Sequence, residues 1–231
     1  MKNRVDDIFN EPHSYRRYLP HIQPINAYYS ITCRLNKSLP RKVIENLKNE
    51  REKFIERLHK IDDPIERDKL SYSFDRIFYK KYDDALDSIL TGPVWLKNVK
   101  IAEIVGEAIR YRDKVNYDLI AYTIMSNHIH IVFWLGEEHE SAKGKEYENT
   151  KTKYIVTDIM ESFKKFTAHR SNTILKRSGR FWARESYDRV LRNQQEVKRA
   201  VLYVMNNPVK AGLVDNPTDW KWSYCAGDFR L

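Results

Sequence analysis

Residues 117–135 read YDLIAYTIMSNHIHIVFWL. Two apolar runs of strand length stand either side of Ser126 and Asn127, and so short a connection makes them an antiparallel hairpin. In the second run the strand period puts His128, His130 and Val132 on one face and Ile129, Ile131, Phe133 and Leu135 on the other. One face is therefore an apolar surface to be buried, and the other presents two imidazoles side by side. That spacing suits two nitrogen ligands to one divalent ion, with positions left for oxygen ligands and a phosphate. A pair of hydrogen-bonded structural histidines would have the same spacing, so the motif alone does not choose between them.

Outward from this hairpin, periods of two and of 3.6 alternate. NAYYSITCRL (26–35) has Tyr29, Ile31, Cys33 and Leu35 on one face and Tyr28, Ser30, Thr32 and Arg34 on the other, the pattern of a half-buried strand. From Pro40 to about Leu90, Val43, Ile44, Leu47, Phe54, Ile55 and Leu58 recur at helical spacing, broken at Asp62, Asp63 and Pro64. This predicts an inserted helical segment at about 41–90. NVKIAEIVGEAIRYRD predicts a third helix with a stripe of Ile101, Ile104, Val105 and Ile109. GEEHESAKGKEYENTK is polar and predicts a solvated, flexible loop at about 137–152. A basic amphipathic helix is expected from about Tyr154 to Leu175, with Ile155, Ile159, Phe163 and Phe166 on its apolar side. A last helix, QQEVKRAVLYVMNN, should turn Val197, Ala200, Val201 and Val204 to the core and stop at Pro208. Helices mixed with an antiparallel pairing predict an α+β fold in which helices cover one face of a sheet.

Composition narrows the function classes. The 231 residues are 42% hydrophobic, enough for a substantial core, and the length favours one domain. Lys and Arg outnumber Asp and Glu by 41 to 32, a formal charge of +9 that suits a polyanionic partner. Cys33 and Cys225 provide neither a disulfide framework nor a zinc module. There is no apolar signal core at the N-terminus and no run of about 18 apolar residues, so the reading is cytoplasmic, with no membrane.

A second constellation lies in YVMNNPVKAGLV (203–214). Tyr203 and Asn207 are four residues apart, one turn from each other on the same side of a helix and at the margin of its apolar stripe. A phenol is a usable nucleophile toward phosphorus when a metal polarises the phosphate, and the Asn207 amide oxygen is a metal ligand of the right kind. Against this, tyrosines are common here and usually pack, and asparagine before proline suits a helix end.

Four blocks, HIQPINAYYSITCRL, YDLIAYTIMSNHIHIVFWL, GRFWARESYDRVLRN and YVMNNPVKAGLV, stand in this order over about half the chain. Together they resemble the REP-associated tyrosine transposases, a branch of the single-tyrosine HUH transposases of bacterial insertion sequences. The resemblance implies a single HUH transposase domain over residues 1–231, built on a ferredoxin-like antiparallel sheet with helices packed on one face. It implies His128, His130 and Asn207 as ligands of Mg²⁺ or Mn²⁺ and Tyr203 as the nucleophile. Tyr187, in another block, is a rival. The implied reaction cleaves single-stranded DNA, leaving a 5′-phosphotyrosine and a free 3′-hydroxyl that can later rejoin strands without ATP. Hairpin or repeat DNA is the implied partner, and either a monomer, toward which the reading leans, or a homodimer is compatible.

DNA contacts would fall to Lys164, Lys165, Arg170, Arg184, Arg189, Arg192 and Lys210, with Lys176, Arg177 and Arg180 nearby. Phe166, Phe181, Trp182 and Tyr187 would stack on bases. Any one of these charges also reads as a solvated surface residue. The segment at about 41–90 is longer than in compact members of the group. Two other classes compete: a non-catalytic hairpin-DNA-binding protein descended from such enzymes, and an unrelated metalloenzyme on a β-barrel. Seven glycines and long helical stretches leave the barrel poorly supported.

Overall fold

The computed structural model describes residues 24–88, 91–139 and 155–229. Most of the loop expected at 137–152, and Tyr154 at the expected start of the following helix, lie outside the described residues. The described residues divide into two compact units, one of residues 37–88 and 91–92 and the other of residues 24–36, 93–139 and 155–229.

The larger unit is a five-stranded antiparallel sheet. Its strands are β1 (Ala27–Arg34), β2 (Asp118–Ile124), β3 (His128–Leu135), β4 (Tyr187–Leu191) and β5 (Ser223–Cys225), in the order β4-β1-β3-β2-β5. β2 and β3 form the hairpin expected from the sequence, closed by the Met125 N–H donating to the His128 carbonyl at 2.9 Å. β3 is central, paired with β1 on one side and β2 on the other, and only Trp134 in it escapes burial. That position explains a near-continuous apolar run interrupted by two histidines.

Two helices of this unit connect strands. They are numbered after the two helices of the smaller unit: α3 (Val99–Tyr111) lies between β1 and β2, and α4 (Ile155–Ile174) between β3 and β4. Strand, helix, strand, strand, helix, strand with spatial order β4-β1-β3-β2 is the ferredoxin-like arrangement. The fold is α+β. α3 starts where the Asn98 side chain accepts from the Lys100 N–H, and it buries Ile101, Ala102, Val105, Ala108 and Ile109. These pack with Val156, Ile159, Met160 and Phe163 of α4 against Tyr29, Ile31, Cys33, Ile129, Ile131 and Phe133. Arg112, at the end of α3, donates to the Ala108 carbonyl and to Ser162 of α4, with its guanidinium over Phe163.

Phe166 departs from its expected place, because it is exposed and carries Arg170 over its ring. Thr167 takes the core position one residue on, accepting a 2.8 Å bond from the Trp182 indole N–H. With its own hydroxyl donating to the Phe163 carbonyl, a buried threonine here leaves no polar group stranded.

The last helix, α5 (Gln194–Lys210), lies on the opposite face of the sheet, with Val197, Val201, Val204 and Met205 packed on Ile120, Ala121, Val132 and Leu191. It begins in a reciprocal cap: Asn193 accepts from the Glu196 N–H while the Glu196 carboxylate accepts from the Arg192 N–H. Pro208 does not stop it. The helix runs two residues further, because the N–H that proline lacks is missed only once, in the final turn. The stop comes at Gly212, whose positive φ of 66° lets its N–H reach the Val209 carbonyl and the Leu213 N–H reach the Pro208 carbonyl. The ferredoxin-like helices thus share one face, and α5 is an addition that roofs the other.

The smaller unit is a helical hairpin of α1 (Arg41–Leu58) and α2 (Pro64–Ser88), divided at the residues where the period breaks. Pro64 opens α2, a position where its missing N–H costs nothing. Phe54 and Phe74 stack with centroids 3.7 Å apart, and Phe78 and Arg51 extend that contact.

Candidate functional site

The strand period places His128 and His130 on the face roofed by α5. Register then decides their neighbours: Arg34 stands opposite His128, and Thr32 opposite His130, with Tyr187 next across β1. Thr123 of β2 flanks His130 on the other side. Both histidines are fully buried. Burial pushes the His128 pKa down to about 3, with the Lys210 charge adding to it, and holds His130 well below the usual value, helped by His128 and Lys210. Both rings are therefore neutral at pH 7, the state a metal ligand requires.

Each ring spends its Nδ1 atom outward. His128 Nδ1 donates to Asn127 Oδ1 at 2.6 Å, and His130 Nδ1 pairs with Thr32 Oγ1 at 2.9 Å. The two Nε2 atoms converge to 3.0 Å from each other, with the rings nearly perpendicular. Two nitrogens bound cis to one ion at about 2.1 Å would stand about 3 Å apart, so this separation is the one a shared ligand site needs.

α5 supplies the remaining groups. Asn207 is buried, and its Nδ2 donates to His130 Nε2 at 3.1 Å. Its Oδ1 is buried without a hydrogen-bond partner, a cost that a cation beside the histidines would remove. Half a turn of the amide presents that oxygen where the nitrogen now sits. The Tyr203 ring meets His130 edge to face with centroids 5.8 Å apart, and Lys210 Nζ lies 5.8 Å over the Tyr203 ring. Two neutral imidazoles, an amide, a phenol ring and an ammonium thus gather between β3 and α5. The donor set fits a hard or borderline divalent ion completed by oxygen from outside the chain.

No protein-family model and no curated protein matches the sequence. Among solved structures, the chain is similar to a REP-associated tyrosine transposase bound to a REP hairpin. The identity is 15%, covering 94% of this chain and 93% of that one, with a TM-score of 0.42.

Tyr187, the rival tyrosine, is buried on the same face but two strands from β3, about 10 Å from His130 across the sheet. The basic residues divide. Arg189 lies on the histidine face, half-buried and 3.7 Å from Glu196, and Lys210 beside Tyr203 is exposed. Arg184 and Arg192 flank β4 and are exposed. Lys164, Lys165 and Arg170 ride on α4, which packs on the opposite face of the sheet. Lys164 donates to the Ala183 and Arg184 carbonyls, tying down the segment before β4. Phe181 and Trp182 belong to the core, and Tyr187 is buried too, so none of the three is a free stacking platform.

Thr32 and Asn127 were not singled out by sequence reasoning. Their signal was present but weak: Thr32 sits on the polar face of β1, and Asn127 immediately precedes the first histidine.

A second group of ligand-type side chains, Asp118, Glu138 and His139, lies near the other end of the hairpin. Asp118 pairs with Trp134, six residues along β3 from His128 and so about 20 Å away. There the Gly136 N–H donates to His139 Nδ1 at 2.8 Å, and His139 Nε2 donates to Asp118 Oδ1 at 3.3 Å. Lys114 already holds the same carboxylate at 2.9 Å.

Proposed function

We propose that this chain is a metal-dependent single-tyrosine transposase or endonuclease of the HUH type, acting on single-stranded or hairpin DNA. The observation that carries the reading is the meeting of His128 Nε2, His130 Nε2, the Asn207 amide and the Tyr203 ring on one roofed face. Residues of β3 and α5 more than 70 positions apart in sequence come together there with complementary chemistry. In this reading His128, His130 and Asn207 hold Mg²⁺ or Mn²⁺, which when bound would polarise the scissile phosphate.

Tyr203 is the nucleophile. Its phenol oxygen bonds to phosphorus while the bond from phosphorus to the 3′ oxygen breaks. The phenol proton passes to solvent, the DNA 3′ oxygen takes up a proton, and a 5′-phosphotyrosine remains. The reverse step rejoins strands with no nucleotide cofactor, because the energy of the phosphodiester is kept in the tyrosine ester. Burial of the histidines keeps them unprotonated through this chemistry. Lys210, beside Tyr203, meets a DNA phosphate, and Arg184, Arg189 and Arg192 extend the positive surface along β4. Lys164, Lys165 and Arg170 meet DNA only if the strand wraps past the sheet edge toward α4. The protein acts as one domain with an inserted helical segment, in the cytoplasm, as a monomer.

The test incubates the protein with single-stranded hairpin DNA and Mg²⁺ or Mn²⁺ and resolves a covalent adduct on a denaturing gel. The adduct should disappear in Tyr203→Phe and persist in Tyr187→Phe. An adduct that survives Tyr203→Phe rejects the assignment, and loss in Tyr187→Phe alone transfers it to Tyr187.

A further inference from the structure

The ring atoms that face away from the candidate metal carry their own information. Asn127 Oδ1 can only accept, so the 2.6 Å contact places the His128 proton on Nδ1 and leaves Nε2 as a bare lone pair. His130 Nε2 stands 3.0 Å from that lone pair. Two bare nitrogens at this distance repel, so positive charge or a proton belongs between them. Thr32 Oγ1, at 2.9 Å from His130 Nδ1, is a hydroxyl and can donate or accept. Asn127 is itself pinned, since its carbonyl accepts the Leu35 N–H at 2.8 Å. Both side chains are buried, so neither bond is exchangeable for water at small cost.

We propose that Asn127 and Thr32 are the positioning residues of this site: Asn127 locks His128 in one tautomer, and the Thr32 hydroxyl lets His130 change between two. Without a cation, His130 carries its proton on Nε2 and donates it toward His128 Nε2, the Asn207 amide turning so that its oxygen rather than its nitrogen faces that proton, while the Thr32 hydroxyl donates to Nδ1. With a cation, the proton sits on Nδ1 and is given to Thr32 Oγ1, so both Nε2 lone pairs face inward beside Asn207. One proton leaves Nε2 and one arrives at Nδ1, and the charge of the ring is unchanged. The second half of this proposal rests on the metal-binding reading above, whereas the first half, concerning His128, does not.

Long-range proton–nitrogen NMR of the imidazole nitrogens reads the tautomers directly, at neutral pH, without DNA and without turnover. In the wild-type protein His128 should carry its proton on Nδ1 throughout. His130 should shift from an Nε2 proton to an Nδ1 proton as Mg²⁺ is added. Thr32→Val should weaken Mn²⁺ binding, read by electron paramagnetic resonance of the free ion, by about 10- to 100-fold, and Thr32→Ser should restore it. Asn127→Ala should release the His128 proton to both nitrogens. A wild-type His128 protonated on Nε2 overturns the Asn127 assignment, and this spectrum needs no variant that folds. Unchanged His130 shifts and Mn²⁺ affinity in Thr32→Val overturn the Thr32 assignment. Absence of any Mn²⁺ or Mg²⁺ response in the wild type overturns the metal reading and the His130 exchange, while the His128 tautomer still decides the rest.

Discussion

The two histidine clusters at either end of the β2–β3 hairpin use the same side chain to opposite ends. At His139 both ring nitrogens are spent locally, one on the Gly136 N–H and one on Asp118, and Lys114 already neutralises that carboxylate. At His128 and His130 the outer nitrogens hold Asn127 and Thr32, while the inner pair converges beside the Asn207 amide, whose nitrogen meets His130 and whose oxygen has no partner. What separates the two clusters is where the ring nitrogens point more than which residues gather. His139, with carboxylates beside it, has the richer composition and the poorer site.

The largest way to break this contrast is at the nucleophile. Tyr203→Phe should lower DNA cleavage by at least roughly a thousandfold, measured by single-turnover adduct formation, because it removes the attacking oxygen. His139→Ala should leave that rate unchanged. Metal affinity separates the clusters next. His130→Ala should weaken Mn²⁺ binding by about 100-fold or more in calorimetry. His139→Ala should not change it, and should instead lower stability by about 1–3 kcal/mol through two lost part-buried hydrogen bonds. A metal that follows His139 would reverse the assignment.

Acid provides a third separation. The folded His128 pKa of about 3 and the lowered His130 value both lie below the unfolded value near 6.5. The unfolded chain therefore takes up protons that the folded one refuses, and stability should fall as pH drops from about 6.5 toward 3. Urea midpoints of the metal-free protein at pH 7, 6, 5 and 4 measure this, and His128→Gln should flatten the decline. Constant midpoints over that range would mean that the rings are not held neutral by burial. The smallest effect is expected from surface charge. Lys210→Ala should reduce the salt dependence of DNA binding by about 0.7 in the log–log slope, and Lys165→Ala by less if DNA stays on the α5 face.

Much of this was legible in the sequence wherever one local period decided the outcome. The alternation in HIHIVFWL separates two imidazoles from the apolar face whatever packs on them, and β3 obeys it. Asp62, Asp63 and Pro64 divide α1 from α2 because proline cannot continue the preceding helix. Reading failed where two neighbouring positions competed for one site, as when Thr167 displaced Phe166 from the core through a bond to Trp182, far along the chain. It failed again at Pro208, where one missing N–H in a final turn was too weak a signal to end a helix that runs two residues further and is closed by Gly212.

By itself, then, the sequence determined which residues of each strand and helix share a face, because side-chain direction follows from backbone period alone. Only the tertiary structure decided that α5 roofs the histidine face rather than joining α3 and α4 on the other. That choice brings Asn207 to 3.1 Å from His130 and sets Tyr203 beside it, while it leaves Lys164, Lys165 and Arg170 behind the sheet. The register that faces Thr32 with His130 was equally beyond local pattern, since strand pairing is set by the whole core, and a slip of one residue would have turned that hydroxyl to the opposite face.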